Sequence, residues 1–237
     1  MAGRLTSAQL QAYRSAGALP FAGSLPLAQV APAREVAGAL ARQAPDQDFL
    51  SGVHNPFGHH ALTAQAWSFL DIAENSQLLD RVEDVIGPDI VLWDSELYFD
   101  LSSLAADEGE CWPVEPLAGA LAVVSLEQGD FGLIDIGRLP GARAGFAGRR
   151  GADFVIRYMP ATSHFNRDPA FAANRRAAEA RPLVNYAIRP IWLLRGADRA
   201  DNDFATGFMV PAPRWTNASA DGGAMRDDSN RVRPERI

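Results

Sequence analysis

Gly87-Pro88-Asp89-Ile90-Val91-Leu92-Trp93-Asp94-Ser95-Glu96-Leu97-Tyr98-Phe99 is the stretch at which the chain changes character. Before it, Leu79, Val82 and Ile86 recur at i, i+3 and i+7, the spacing of one helix face. Gly87 and Pro88 stop that helix. After it, the segment from Asp89 to Phe99 reads as a strand. Further strands are expected over Leu117–Leu126, Phe131–Leu139, Ala152–Pro160, Leu183–Ile188 and Ile191–Arg195, with Gly and Pro between them at short intervals. Helices first and strands afterwards, without βαβ alternation, predict an α+β chain with a β-sandwich or jelly-roll core.

Working outward toward the N-terminus, Ser76 to Ile86 is the clearest helix. A shorter helical pattern lies near Thr63 to Ile72, and another covers Arg34 to Gln43 with Val36 and Leu40 inward. Thr6 and Gln9 form a capping-box pair at the head of a first helix, which Gly17 and Pro20 end. The expected organisation is a single domain over 1–210, helical over 1–88 and β over 89–210. Residues 211–237 form a polar, flexible tail.

The 237 residues are 47% hydrophobic and 22% charged, which suffices for a core and excludes wholesale disorder. No apolar run approaches the ~18 residues of a membrane helix. The N-terminus lacks the apolar segment of a secretory signal, and Cys111 is the only cysteine, so no disulfide framework exists. A cytoplasmic protein is expected. All 22 basic residues are Arg, which excludes a Schiff-base or P-loop lysine. The charge is divided along the chain: 17 acidic residues face one Arg between Pro45 and Asp130, and 12 Arg face 4 acidic residues between Arg138 and Arg199. With an overall charge of −7 and no dense basic run, the two halves are expected to pair within one fold. Neither nucleic acid nor membrane is expected as a partner. The expected partner is a small-molecule ligand, and a homo-oligomer is compatible with the composition.

An ordered series of short segments resembles the phytanoyl-CoA dioxygenase family. It comprises Leu5-Thr6 with Gln9 and Tyr13, Leu78-Leu79-Asp80 through Ile86-Gly87-Pro88-Asp89-Ile90, and Leu92 to Phe99. It continues with Trp112-Pro113 and Pro116, Leu139-Pro140-Gly141-Ala142-Arg143, and Ser163-x-x-Asn166. The resemblance implies a double-stranded β-helix, cupin-like, with flanking N-terminal helices. It also implies a family chemistry in which Fe(II) and 2-oxoglutarate hydroxylate small molecules. In that family two His and one carboxylate hold the iron.

At those positions this chain differs. Counting back from Trp112, the family's His-x-Asp falls on Ala106 and Glu108, and the distal His falls on Ala161. Asp100 stands where a cosubstrate lysine often lies. An alanine cannot ligate iron, so the resemblance implies a barrel that has lost its metal ligands and needs no cofactor. Of the four His, His54, His59, His60 and His164, only His164 lies near enough to Ala161 to serve as a displaced ligand. His54 and His60 are expected as surface or loop histidines.

Glu108 and His164 are the candidate catalytic acid–base groups, with pairing to an Arg as the alternative for Glu108. Tyr98, Trp112, Ser163, Asn166 and Arg181 are the candidate substrate contacts. Arg181 takes the position of the family's cosubstrate-binding arginine, while Arg175 and Arg176 are expected on a solvated helix face. Trp93 and Phe165 are cavity or core residues, with Trp93 expected in the core. Three functions stay open: a non-redox enzyme such as a cyclase or isomerase, an Fe(II)/2-oxoglutarate oxygenase with displaced ligands, and a non-catalytic binding or regulatory subunit.

Overall fold

The computed structural model describes residues 4–55, 66–105, 108–139, 143–146, 151–180 and 189–204. Ala106, Arg181, the strand expected over Leu183–Ile188 and the expected tail lie outside these.

Helix α1 (Ser7–Ala16) opens on the capping box: Thr6 Oγ1 accepts from Gln9 N at 3.2 Å, and Gln9 Oε1 accepts from Thr6 N at 3.0 Å. Gly17, at φ 71°, closes it in the left-handed conformation that glycine adopts freely. Pro20 then lies within a strand instead of a turn. β1 (Ala18–Ser24) runs at the end of the described sheet, the place where a strand tolerates a residue without an N–H. Its register shifts between Leu19 and Gly23, which erases the alternation that marks a strand in sequence.

Helix α2 (Leu27–Gln43) begins a full turn or more ahead of the expected Arg34 and carries Pro32 inside it. Val30, Ala33, Val36, Ala37 and Leu40 form its buried face. The short strand β2 (Phe49–Ser51) follows, then α3 (Ala66–Ala73) and α4 (Ser76–Ile86). Asn75 caps α4, accepting from Gln77 N at 2.9 Å, and Leu78, Leu79 and Val82 are buried.

The strands are β3 (Ile90–Tyr98), β4 (Val114–Glu115), β5 (Ala120–Ser125), β6 (Asp130–Asp135), β7 (Asp153–Pro160), β8 (His164–Phe165) and β9 (Trp192–Arg195). Helix α5 (Ala172–Ala180) precedes β9. Among the described residues, one antiparallel sheet has the order β1-β6-β5-β7-β3-β2, with β9 also paired to β3, and β4 and β8 form a second, small sheet. β6 stops at Asp135, four residues short of Leu139, because Asp135 turns the chain by accepting from Gly137 N at 2.9 Å.

Two apolar layers follow from strand alternation. On the outer face of the large sheet, Leu92, Leu97, Ala122, Val124, Phe154 and Ile156 pack against Phe69, Leu70, Leu78 and Val82 of the helices. On the inner face, Val91, Trp93, Leu121, Val123, Val155 and Met159 pack against Trp112, Val114 and Phe165 beside the small sheet. This is a helix-flanked sandwich, as the order of the elements predicts.

The charge division is resolved inside the chain. Arg195 Nη1 pairs with Asp80 at 2.9 Å and Glu83 at 2.7 Å, Arg199 pairs with Asp89 at 3.1 Å, and Arg157 pairs with Glu96 at 2.8 Å. The basic second half thus closes over the acidic first half. No described helix is long and apolar enough to cross a membrane.

Candidate functional site in the barrel interior

The site begins with one irregularity in β3. Leu92 faces Tyr158 of β7 and Asp94 faces Arg157, so Trp93 is an extra residue on the β3 side. A bulge of this kind turns two successive side chains toward one face. Trp93 lies in the inner apolar layer. Asp94 reaches the inner face as well, opposite Arg157, and Glu96 and Tyr98 follow it at the strand period of two.

These side chains form one buried network. Arg157, fully buried, lies 3.7 Å from Asp94 Oδ2 through Nη1 and donates from Nη2 to Glu96 Oε2 at 2.8 Å. Tyr98 Oη donates to the same Glu96 oxygen at 2.5 Å. Arg189 donates to Asp94 Oδ1 from the sheet edge. Two carboxylates therefore face two guanidiniums, which removes the charge imbalance that burial would penalise. Burial pushes the Asp94 carboxyl upward, and the charges of Arg189 and Arg157 oppose that shift.

Arg189 arrives through a gap. On that edge of β3, β9 pairs with Ile90 to Leu92 and β2 pairs with Glu96 to Tyr98. The bulge and Asp94 lie between the two. Arg189 precedes β9 and fills the opening beside Ser51, its Nη atoms 3.5 Å from Ser51 Oγ.

His54, expected as a surface or satisfied loop histidine, lies in the turn after β2 and is buried there. Its Nδ1 lies 2.6 Å from Ser95 Oγ, and its ring meets Trp192 edge-on at 5.1 Å. Burial first, then the charges of Arg189 and Arg157, lower its pKa to about 3. The imidazole is therefore neutral at physiological pH.

Aromatic rings close the inner layer. Trp93 meets Trp112 edge-on at 4.9 Å and Phe165 at 5.7 Å, while the Arg157 guanidinium lies 5.9 Å from the Trp93 ring. Trp112 Nε1 is buried and meets no hydrogen-bond acceptor among the described residues.

The network gathers Tyr98, and Trp112 lies in the layer around it. Ser163 is buried but donates to Pro116 O at 2.9 Å, and Asn166 Nδ2 donates to Glu115 Oε2 at 2.7 Å. Both brace β8 against β4. His164 sits on the outward side of β8, exposed, with Nδ1 3.1 Å from Ala200 O, while its neighbour Phe165 points inward. Glu108 begins the turn Glu108–Cys111, with only its backbone described. Arg175 and Arg176 lie on the exposed face of α5, where Arg176 pairs with Glu110. Asp100 caps the turn Leu101–Ser103 by accepting from Ser102 N at 2.9 Å.

Asp94, Glu96, Arg157 and Arg189 were not singled out as site residues from the sequence, and His54 was read there only as a surface or loop histidine. A signal existed for three of them. Asp94 and Glu96 interrupt an otherwise apolar strand, and Arg157 stands within Phe154 to Met159. Polar residues embedded in a strand buried on both faces need buried partners. Arg189 carried no such signal, since it lies in a connection.

Among the described residues, no group of three or more His, Cys, Asp or Glu side chains stands where it could hold a metal ion. Ala161, fully buried in the inner apolar layer, presents a methyl group. His164 points away, and the described carboxylates of the interior are already held by Arg157 and Arg189. A divalent cation on Asp94 and Glu96 would have to displace guanidiniums.

No family model matches the sequence, and no curated protein matches it. Among solved structures, "CytC3 with Fe(II) and alpha-ketoglutarate" superposes with a TM-score of 0.51 at 9% identity, over 85% of this chain and 93% of that one. A second structure of CytC3 gives 0.51 at 10% identity, over 85% and 94%. The chain has the cupin-like jelly-roll fold. The likeness extends to fold alone at these identities.

Proposed function

We propose that this protein is a phytanoyl-CoA-dioxygenase-like barrel that has given up its iron site, holds a small organic molecule and acts on it by acid–base chemistry, as a cyclase or isomerase would. The observation that carries this reading is the guanidinium network that holds the interior carboxylates, beside Ala161 at the position that the resemblance gives to the distal ligand. Such a network supports proton transfer and the binding of a polar ligand without a metal. Asp94, its carboxyl pushed upward by burial and held by Arg189 and Arg157, is the candidate acid–base group of the interior in this reading. Tyr98 and Arg157 fix the neighbouring Glu96, and Trp93, Trp112 and Phe165 supply apolar and aromatic walls. His164, facing outward, has no part in this reading.

Anaerobic titration with Fe(II), and with Mn(II) as a stand-in, tests it with and without 2-oxoglutarate. The expected result is no stoichiometric metal binding at micromolar concentration. Stoichiometric binding that 2-oxoglutarate strengthens would overturn the reading in favour of an oxygenase with displaced ligands.

A further inference from the structure

Outside the barrel, α1, α4 and the end of β6 enclose a cleft of about 310 Å³. Its walls are polar: Tyr13 and Arg14 come from α1, Asp84 from α4, and Asp135 and Arg138 from the turn after β6. Leu10 and Val85 give it one short apolar side. We propose that this cleft binds a small zwitterion of the α-amino acid class.

Three features of the walls support that chemistry. Tyr13 is 6% exposed, yet its hydroxyl makes no hydrogen bond to any described residue. The ring is buried while the hydroxyl opens on the cleft, where it can donate to a ligand. Asp135 lies close enough to push the Tyr13 hydroxyl further upward, so the phenol keeps its proton. Arg138 is anchored by one nitrogen alone. Its Nη1 donates to the last carbonyls of α1, Arg14 O at 2.7 Å and Ser15 O at 3.1 Å, which leaves the other guanidinium donors without a described partner. The Arg14 side chain likewise has no ion pair among the described residues.

The acidic side is unequal. Asp84 is already engaged by Arg4 Nη1 at 3.0 Å and by Leu5 N at 2.6 Å. Asp135 spends only Oδ1, on Gly137 N. The groups left for a ligand are therefore two guanidiniums and a phenol, which suit a carboxylate, and the carboxylate of Asp135, which suits an ammonium group. The volume is at the lower end of small-molecule sites, enough for a molecule with a short aliphatic side chain against Leu10 and Val85.

Calorimetric titration of the full chain with L-valine, isobutylamine and isovalerate separates the zwitterion from its two halves. L-Valine is expected to saturate with a Kd of about 0.1–1 mM and to bind at least about tenfold more tightly than either half. Tyr13→Phe, Arg14→Gln and Asp135→Asn are each expected to weaken L-valine about fivefold or more, with the melting temperature measured alongside to show that the fold persists. Tyr98→Phe, which alters the interior and not the cleft, is expected to leave this binding unchanged. The inference is overturned if L-valine does not saturate by about 10 mM, or if isovalerate binds as tightly. It is also overturned if the cleft variants have no effect, or if Tyr98→Phe removes binding and Tyr13→Phe does not. Because the cleft is separate from the barrel interior, these outcomes do not depend on the metal titration.

Discussion

The two faces of the large sheet are built from the same strands and stabilised by different physics. The outer face is a dry contact between strands and helices, with Phe69, Leu78 and Val82 fully buried against Leu92, Leu97 and Ile156. The inner face carries the Asp94–Arg157–Glu96 network among aromatic rings. An apolar layer tolerates a loss of volume in proportion to the cavity left behind. A buried ion network does not degrade in that way. Removing one charge strands its partner, at the cost of an unpaired buried ion. The outer face therefore resists substitution by degrees, while the inner face depends on every member being present.

The largest effect should come from the inner face. Arg157→Leu leaves Asp94 and Glu96 with one guanidinium between them, and unfolding in urea should show a loss of about 3–5 kcal/mol. If the loss is below about 1 kcal/mol, the network is not what holds the interior. On the outer face, Leu78→Ala should cost about 2–5 kcal/mol, with a cavity and no change in the pH dependence of stability.

The His54 titration comes next. Its folded pKa is depressed to about 3, against 6.5 when unfolded. The unfolded chain thus takes up a proton that the folded chain refuses, and stability is lost as pH falls below 6.5 and continues to fall toward 3. Between pH 8 and pH 5 this one group should remove about 2 kcal/mol. The raised Asp94 pKa acts in the opposite sense, so the contribution of His54 is read as the difference between the natural protein and His54→Gln. A His54→Gln variant with an unchanged pH profile would mean that the imidazole titrates alike in the folded and the unfolded chain, so that its burial does not depress its pKa.

Thr6→Ala should cost about 1 kcal/mol by removing the α1 cap, checked by the same urea titration. The smallest effect is assigned to His164→Ala. Exposed and held only to a backbone carbonyl, it should change stability by less than about 0.5 kcal/mol. It should also leave any turnover intact, and an activity that vanished with it would place His164 at the site.

The same contrast governs what the sequence reveals. The outer layer was legible, because burial on one face writes a period into the chain, as in α4 and in the change at Pro88. β1 was not, since a register shift and Pro20 break its alternation. The inner network was half legible. Asp94 and Glu96 stand out in a strand, but their partners are 61 residues and more away and follow from the sheet order, not from local pattern. Ser163 and Asn166 illustrate the converse. Their spacing resembles a family's site motif, while their hydrogen bonds brace the small sheet to the loop beside it.

The gap in the sheet at Asp94 has a consequence for synthesis. The acids of the interior leave the ribosome well before their counter-ions: Glu96 waits 61 residues for Arg157, and Asp94 waits 95 for Arg189. A nascent chain that ends before residue 189 holds Asp94 without its second guanidinium, and the strand β9 that would follow has not yet been made. The helices and the outer layer can assemble as they emerge, but the interior of the barrel is completed only once Arg189 has been made. A ribosome stalled ahead of Arg189 would carry a half-built barrel whose acids are still solvated.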